Sequence, residues 1–373
     1  MKVRYTFRAY PTTDQQQELA RVFGHTRFVY NWGLRHRTDA WANAEKVNYN
    51  QSSAALTALK KTPEHAWLNE VSCVPLQQSL RNLQTAFGNF FSGRAKYPRF
   101  KSKRDKQSAE YTTSAFKYSD SVLSLAKVGK LKVKWSRPFS SQPTTVTISK
   151  TPAGRYYVSL VLDETLVAFT KTGESIGVDL GINRLATLSK GEKIPNLRFT
   201  RKYEKRLAKA QKSLSRKVKG SGRWKRQRIK VARLHQTLSN ARIDHLNKVT
   251  TDLVKRFDVI AVEDLNVRGM VRNRKLAKHI SDASFGRFVS MLEYKALWRG
   301  KRVVKIDRFF PSSKRCSCCG YVAQAMPLDV RNWQCPECKS EHDRDENAAV
   351  NILNFALGQR VNAHGADVRP SVA

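Results

Sequence analysis

The chain has 373 residues, 40% of them hydrophobic, which excludes a disordered tail and leaves room for roughly two to four domains. Basic residues number 69 and acidic residues 30, a net charge of +39. Self-repulsion on that scale destabilises a compact chain unless something anionic binds it; nucleic acid is the first candidate and an acidic membrane the weaker one.

In chain order, Val3 to Ala9 reads as a short strand, followed by Pro11 and a helix. Thr13-Asp14-Gln15-Gln16 fits a capping box, and Leu19, Val22, Phe23, Val29 and Tyr30 follow helical spacing. A second clear helix is predicted to open at Pro75, with Leu76, Leu80, Leu83, Phe87 and Phe90 as its apolar stripe. Trp41, Tyr49 and Trp67 lie in a looser helical stretch between them. A helical domain over 12–95 is therefore expected. A basic connector, Arg94 to Lys106, leads into strand-rich sequence. There Thr145–Ile148 and Tyr156–Leu162 flank Pro152-Ala153-Gly154 as a hairpin. If the N-terminal strand joins this sheet, residues 1–11 and 96–172 form a β-barrel interrupted by the helical domain.

From Gly173 strands alternate with long helices, which implies an α/β domain over 173–310 and 340–358. The segment Arg201 to Arg233 has Glu204 as its only acid and reads as one or two long helices. No internal repeat is visible. Residues 359–373 read as a flexible tail.

Three acidic motifs stand out in the α/β part. In Ser175-Ile176-Gly177-Val178-Asp179-Leu180-Gly181, alternation puts Asp179 on one strand face with two glycines, leaving open space that suits a metal ion and a phosphate backbone. The alternative is a turn-forming aspartate at a strand end. Asp258 to Leu265 is an apolar run of the kind buried on both faces, and it ends in Glu263-Asp264, of which only one can point into a given site. Asp343 to Leu353 reads as a helix start. Asp343 and Glu346 have capping-box spacing, Asp345 lies in the first turn, and Ala348 and Ala349 keep the helix thin enough to pack closely on a sheet. Two divalent ions about 4 Å apart need several carboxylates, and magnesium prefers such oxygen donors. Together the motifs point to metal-dependent phosphodiester hydrolysis.

Of six cysteines, five crowd between Cys316 and Cys338. Cys316-x-x-Cys319 and Cys335-x-x-Cys338 have the spacing of a zinc ribbon, placed over 311–339, with all four thiolates engaged and the zinc therefore structural. Cys318 is a spare that could replace Cys319; Gly320, which allows the tight turn, favours Cys319. His342 could be a ligand or a loop histidine. Cys73 is expected to be a small buried residue. The clustering favours metal over disulfides in a reducing compartment. No apolar run could span a bilayer, and Met1 to Tyr5 lacks the apolar stretch of a secretory signal, so a cytoplasmic protein without membrane contact is expected.

These motifs resemble one family. The Gly-Val-Asp-Leu-Gly strand, the Val-Glu-Asp-Leu strand, the four-cysteine ribbon and Asp-Arg-Asp-x-Asn-Ala-Ala look like TnpB, the transposon-encoded protein long labelled OrfB transposase. The likeness extends to Tyr10-Pro11-Thr12, Arg27–Asn31, Pro75–Gln78 and Phe90-Phe91, nearly the whole chain. The resemblance implies an RNA-guided double-strand DNA endonuclease, similar to a miniature type V CRISPR effector, with a guide RNA from the transposon end and a short motif recognised beside the target. It implies a RuvC nuclease domain of RNase H fold, with the barrel as wedge domain and the inserted helices as recognition domain. By residue matching Asp179, Glu263 and Asp345 take the three RuvC roles around two magnesium ions, with Asp343 possible instead of Asp345. Hydrolysis there would leave a 5′-phosphate.

A protein that leaves sequence reading to base pairing needs mainly backbone contacts and charge. Lys202, Lys205, Arg206, Lys209, Lys212, Arg216 and Lys217 offer a phosphate-binding helix face, and Lys101 and Lys103 lie in the basic connector. Trp224 could stack a base or serve as core. Gln78, Ser79 or Asn82 would read the motif on the DNA. Two rival readings share the features: an RNA-guided repressor, which is expected to lack a triad acid, and a transposase joining strands with the same three carboxylates. A zinc-ribbon RNA-binding factor would leave the acids idle.

Overall fold

A computed structural model describes residues 1–358 apart from 105 and 328, and in the tail only the backbone of Arg360–Val361 paired with Asp367–Val368. The rest of the tail lies outside the described residues. The chain divides into two compact units, Met1–Thr165 and Leu166–Ala373.

The first unit opens with β1 (Lys2–Ala9) and α1 (Thr13–Ala42), then α2 (Tyr49–Leu59), a 3-10 turn at Pro63–Glu70, and α3 (Cys73–Phe91). Short strands follow: β2 (Gln107–Thr112), β3 (Phe116–Ser119), β4 (Val122–Leu125), β5 (Gly129–Leu131) and β6 (Val133–Lys134). The hairpin β7 (Thr145–Lys150) and β8 (Tyr156–Asp163) closes the unit. The expected hairpin forms, and β1 pairs antiparallel with β8 from Lys2–Asp163 to Ala9–Tyr156, so the helices are an insertion in this sheet. The barrel does not close. The ladder runs β2-β7-β8-β1-β6 with β2 and β6 as edges, and β3-β4-β5 form a separate small sheet.

Local chemistry moves two helix starts. The capping box on α1 uses Thr12, one residue earlier than expected: Gln15 N donates to the Thr12 hydroxyl at 3.3 Å and Thr12 N donates to Gln15 Oε1 at 3.1 Å. Helix α3 begins two residues before Pro75, which sits in its first turn, where a missing N–H costs nothing. Leu19, Val22, Phe23, Val29, Leu76, Leu80 and Leu83 are buried as the periodicity implies, while Phe90 is only half-buried. Cys73, expected inside, is exposed at the start of α3.

The second unit contains β9 (Ser175–Asp179), β10 (Arg184–Leu188) and β11 (Lys193–Pro195), then the long helices α4 (Phe199–Ser215) and α5 (Gly222–Arg256). Strand β12 (Val259–Glu263) is followed by α6 (Val267–Met270), α7 (Ala277–Ala283), α8 (Phe285–Trp298) and β13 (Arg302–Ile306). The ribbon strands β14 (Asn332–Gln334) and β15 (Glu341–Asp343) lead into α9 (Arg344–Ala356). The main sheet runs β11-β10-β9-β12-β13; β9–β10 and β10–β11 are antiparallel, β9–β12 and β12–β13 parallel. Ile176, Val178, Ile260 and Val262 are fully buried and pack with Leu253 and Phe288 of the flanking helices α5 and α8. No described helix is long and apolar enough to cross a membrane.

Candidate active site and metal-binding cluster

The sheet register brings two acids together. Val262 on β12 lies opposite Val178 on the parallel neighbour β9, so the next residues, Glu263 and Asp179, end both strands at the same edge. Helix α9 packs on β9 and carries the third acid, Asp345, in its first turn. Burial first, then the charges of Glu263 and Asp345, push the Asp179 carboxyl up to about 8, against a weaker pull from Arg344 and Arg331. Burial also raises Glu263, partly offset by the Ser312 hydroxyl, which donates to its carboxylate. Glu263 and Asp345 thus both act by charge on the buried Asp179 and disfavour its ionised form until a cation enters. Among the described residues, only Cys316, Cys319, Cys335 and Cys338 already lie close enough together to hold a metal.

Neighbouring acids are engaged elsewhere. Asp264, the residue after β12, pairs with Arg308. Asp343 is the N-cap of α9: its Oδ1 accepts from the backbone N–H of Asp345 at 3.0 Å and of Glu346 at 3.1 Å, and its Oδ2 from Lys193 at 2.6 Å. Both oxygens of Asp343 are committed to the cap and the ion pair, while the charge of Asp345 acts on Asp179.

Gly177 has a different reason from the open space expected of it. A Cβ there would lie 1.9 Å from the carbonyl oxygen of Ala349 and 2.9 Å from Leu353. The glycine makes room for α9, and the small, buried Ala348 and Ala349 complete that close approach. Helix–strand contact, not phosphate access, explains this residue.

The sulfur atoms of Cys316, Cys319, Cys335 and Cys338 all lie within 4.8 Å of one another and could hold a metal ion. Cys318 is exposed and stands outside the cluster. His342 Nε2 approaches Cys316 Sγ at 3.1 Å, so the histidine lies against the cluster and not in a remote loop.

Two asparagines tie this segment to α9. Asn347 Oδ1 accepts from Ser317 N at 2.9 Å and its Nδ2 donates to Arg315 O at 2.7 Å; Asn351 Nδ2 donates to Ser312 O at 2.9 Å and Arg315 O at 2.6 Å. Both are nearly fully buried, which explains the asparagine in Asp-Arg-Asp-x-Asn-Ala-Ala. From the cysteine-bearing segment Arg331 also reaches the acids, donating to Asp345 Oδ1 at 3.2 Å. Sequence reading passed over Arg331, because nothing local separates it from the other surface arginines. Asn347 and Asn351 could have been noticed as two amides four apart on a helix face otherwise lined by alanine and isoleucine.

The expected nucleic-acid residues are scattered over both units. Lys202, Lys205, Arg206, Lys209, Lys212 and Arg216 are exposed along α4 and its end; α4 buries none of its residues and packs on α5. Lys217 is half-buried. Trp224 is half-buried in the first turn of α5, with the Arg228 guanidinium 5.6 Å from its ring centroid. In the first unit, Lys103 is exposed, and Lys101 Nζ sits 3.8 Å from the Tyr30 ring centroid. Asn82 is exposed and Gln78 half-buried on α3. Ser79 is unsuited to read DNA: it is buried and its hydroxyl donates to Thr26 O at 2.7 Å.

Comparison with known proteins covers the whole chain. A family described as "Probable transposase" (OrfB_IS605) matches residues 159–274, a "Cas12f1-like, TNB domain" matches 285–352, and a "Helix-turn-helix domain" matches 1–46. That last segment is here a strand followed by one continuous helix of 30 residues. A "Putative RNA-guided DNA endonuclease" of Streptomyces pristinaespiralis is 50% identical, over 99% of this chain and 92% of that protein. One of the same description, InsQ of Escherichia coli (strain K12), is 32% identical over 98% and 94%. Among solved structures, the Cas12f1–sgRNA–target DNA complex aligns over 95% of this chain and 99% of its own with a TM-score of 0.61 at 11% identity. The mini-RNA-guided endonuclease CRISPR-Cas_phi3 aligns over 95% and 92% with a TM-score of 0.51 at 9% identity. Both show the fold alone.

Proposed function

The chain belongs to the TnpB family of OrfB-type proteins, and from that premise we propose that this RNA-guided DNA endonuclease cuts double-stranded DNA at Asp179, Glu263 and Asp345. The observation that carries the assignment is the convergence of the three carboxylates: two on the ends of parallel strands in register, the third on a helix that a glycine admits to the same edge.

The sheet order suits a RuvC-like, RNase H-type domain: three antiparallel strands, then two parallel to the first, with the acids on the first and fourth strands and on a later helix. The donor chemistry fits magnesium, since all three are carboxylates. Their oxygens would close on the ions as they bind, because among the described residues only the cysteine sulfurs already lie within metal-holding distance. Bound magnesium would supply the positive charge that activates water and offsets charge developing on the phosphodiester. The chain's own residues do the rest. Ser312 orients Glu263 through its hydroxyl, Asp343 and Lys193 hold the first turn of α9 so that Asp345 faces Asp179, and Arg331 offers a guanidinium fork at the rim that fits a phosphate oxygen.

The four thiols fit one zinc ion in a structural role, as every position is a protein sulfur. Its place is to fix the segment carrying Arg331 and the loops that Asn347 and Asn351 clasp. The guide is a noncoding RNA from the transposon end, the target duplex carries a short adjacent motif, and the excess of cations supports contact with both backbones.

The test is plasmid cleavage by protein purified with and without the RNA that co-purifies with it. Cutting that depends on the RNA and on magnesium, and that disappears in Asp179→Ala, is expected. Cutting without RNA, or undiminished in that variant, overturns the reading.

A further inference from the structure

Residues 71–104, which include α3 and the connector after it, hold seven lysines and arginines and no aspartate or glutamate. At the junction of the two lies an aromatic cluster. Phe91, the last residue of α3, is 72% exposed, and its ring stacks beside Phe87 at 6.2 Å with an interplanar angle of 22°. Phe90 packs against Phe91 at 5.2 Å and meets the Tyr97 ring edge-on at 5.3 Å. Tyr97 in turn meets Phe87 at 5.6 Å. An exposed phenylalanine alone is ordinary; one that ends a four-ring cluster inside an acid-free cationic stretch is not.

The cluster is held in place. Gly93, at φ +70°, turns the chain off the helix, and Arg94 N and Ala95 N donate back to Asn89 O at 2.9 and 3.0 Å. The Tyr97 hydroxyl lies 2.8 Å from Thr38 Oγ1 on α1. Further along, the Asn31 side chain clasps the Lys101 backbone in both directions, at 2.9 and 2.8 Å. Lys96, Arg99 and Lys103 remain exposed along this pinned loop. A ring face needing no reordering, flanked by phosphate-binding cations, has the two components of a single-strand binding platform.

We propose that Phe91 is a stacking platform for an unpaired base of the guide RNA, with the strand's phosphates tracked by the connector residues Lys96, Arg99 and Lys103. The occupant is RNA because stacking on an exposed ring needs a free base face. Target DNA arrives as a duplex whose bases already stack on one another. The proposal rests on the RNA-guided reading but concerns binding, so it is tested without cleavage.

The full chain is titrated with a labelled unpaired RNA of about 12 nucleotides containing 2-aminopurine, across a series of salt concentrations. Wild type is expected to quench the fluorophore. Phe91→Leu should bind about five- to a hundredfold more weakly without quenching and with an unchanged salt slope, whereas Phe91→Trp should restore both. Lys96→Gln with Arg99→Gln should instead lower the salt slope, by roughly 0.7 for each phosphate no longer neutralised. Matching melting temperatures for the Phe91 variants show that they fold. Quenching retained by Phe91→Leu, equal preference for a single-stranded DNA of the same length, or a dimer that Phe91→Leu dissociates would each overturn the proposal. A chain that passes this test yet cuts no DNA would defeat the endonuclease reading and leave the platform standing.

Discussion

A β-carbon on Gly177 would stand 1.9 Å from the carbonyl oxygen of Ala349, so strand β9 and helix α9 touch where no side chain fits. Asp179 lies two residues beyond Gly177 on β9 and Asp345 four residues before Ala349 on α9, so a shift of the helix at this contact moves one acid relative to the other. Gly177→Ala must push the helix away, because the obstacle is backbone and cannot rotate aside. Overpacking of this kind costs about 1–3 kcal/mol or more. A catalytic displacement near 1 Å costs about a hundredfold in rate. Thermal melts and single-turnover cleavage of Gly177→Ala should show both losses, with cleavage the larger.

Crowded acids trade stability for metal binding. In chelator, Asp179→Asn should melt at a higher temperature than the wild type, because it removes a carboxyl whose charged form is disfavoured by burial and by the charges of Glu263 and Asp345. In magnesium the order should reverse, since only the wild type gains from the ion. Cleavage by the variant should fall below detection. A variant that melts lower in chelator would mean that Asp179 is held by a favourable contact instead.

The two adjacent cysteines give a paired test. Cys319→Ser should lose the zinc measured by mass spectrometry of the purified protein, and Cys318→Ser should keep it. Loss of the metal should also lower cleavage, because Asn347 and Asn351 join the ribbon segment to the helix that carries Asp345. Retained zinc in Cys319→Ser would reassign the fourth ligand to Cys318 or His342.

Much of the fold was legible in the sequence where the pattern was local. Composition and turn chemistry identified the hairpin, alternation identified β9, the continuous apolar run identified β12, and spacing identified the four cysteines. Readings failed where a distant partner decides. Gly177 looked like space for a ligand until α9, more than 150 residues later, was seen to fill it. Ser79 looked like an accessible polar residue on a recognition helix, but α1 covers it and takes its hydroxyl. Cys73 was expected to be buried because free cysteines usually are, yet it sits exposed at a helix start. The barrel was extrapolated from a hairpin plus one strand; closure depends on how the edge strands β2 and β6 pair, which alternation does not encode.

Asp258 offers a pH-dependent handle away from the acids. The buried Lys301 ammonium donates to its carboxylate, and the backbone N–H groups of Thr172 and Gly173 add to the effect, holding Asp258 down at about 2. The folded value lies below the unfolded one of 3.8, so this stabilisation is complete above the unfolded value and disappears as pH falls through about 2. Melting temperatures followed from pH 5 to pH 2 should fall more steeply for wild type than for Asp258→Asn, which should already melt lower at neutral pH. Parallel curves would show that the pair does not contribute.

The cationic face of α4 should act through charge alone. Lys205→Gln, Lys209→Gln and Lys212→Gln combined should weaken nucleic-acid binding at low salt and flatten its salt dependence by roughly 0.7–0.9 per phosphate left without its cation, without altering the melting temperature. An unchanged slope would make these side chains an ordinary solvated face.

The pairing of β1 with β8 bears on how the protein is made. Lys2 meets Asp163 and Ala9 meets Tyr156, so the earliest strand of this unit to be synthesised waits for one of its last. Meanwhile α1, α2 and α3 have all emerged and can form from local contacts. Assembly of this unit should therefore run from the inserted helices outward, with the sheet zipping late, as non-local pairing implies. The exposed apolar edge of an unpaired β8 is the hazard of that order, and slower translation just after residue 163 should raise the yield of native protein.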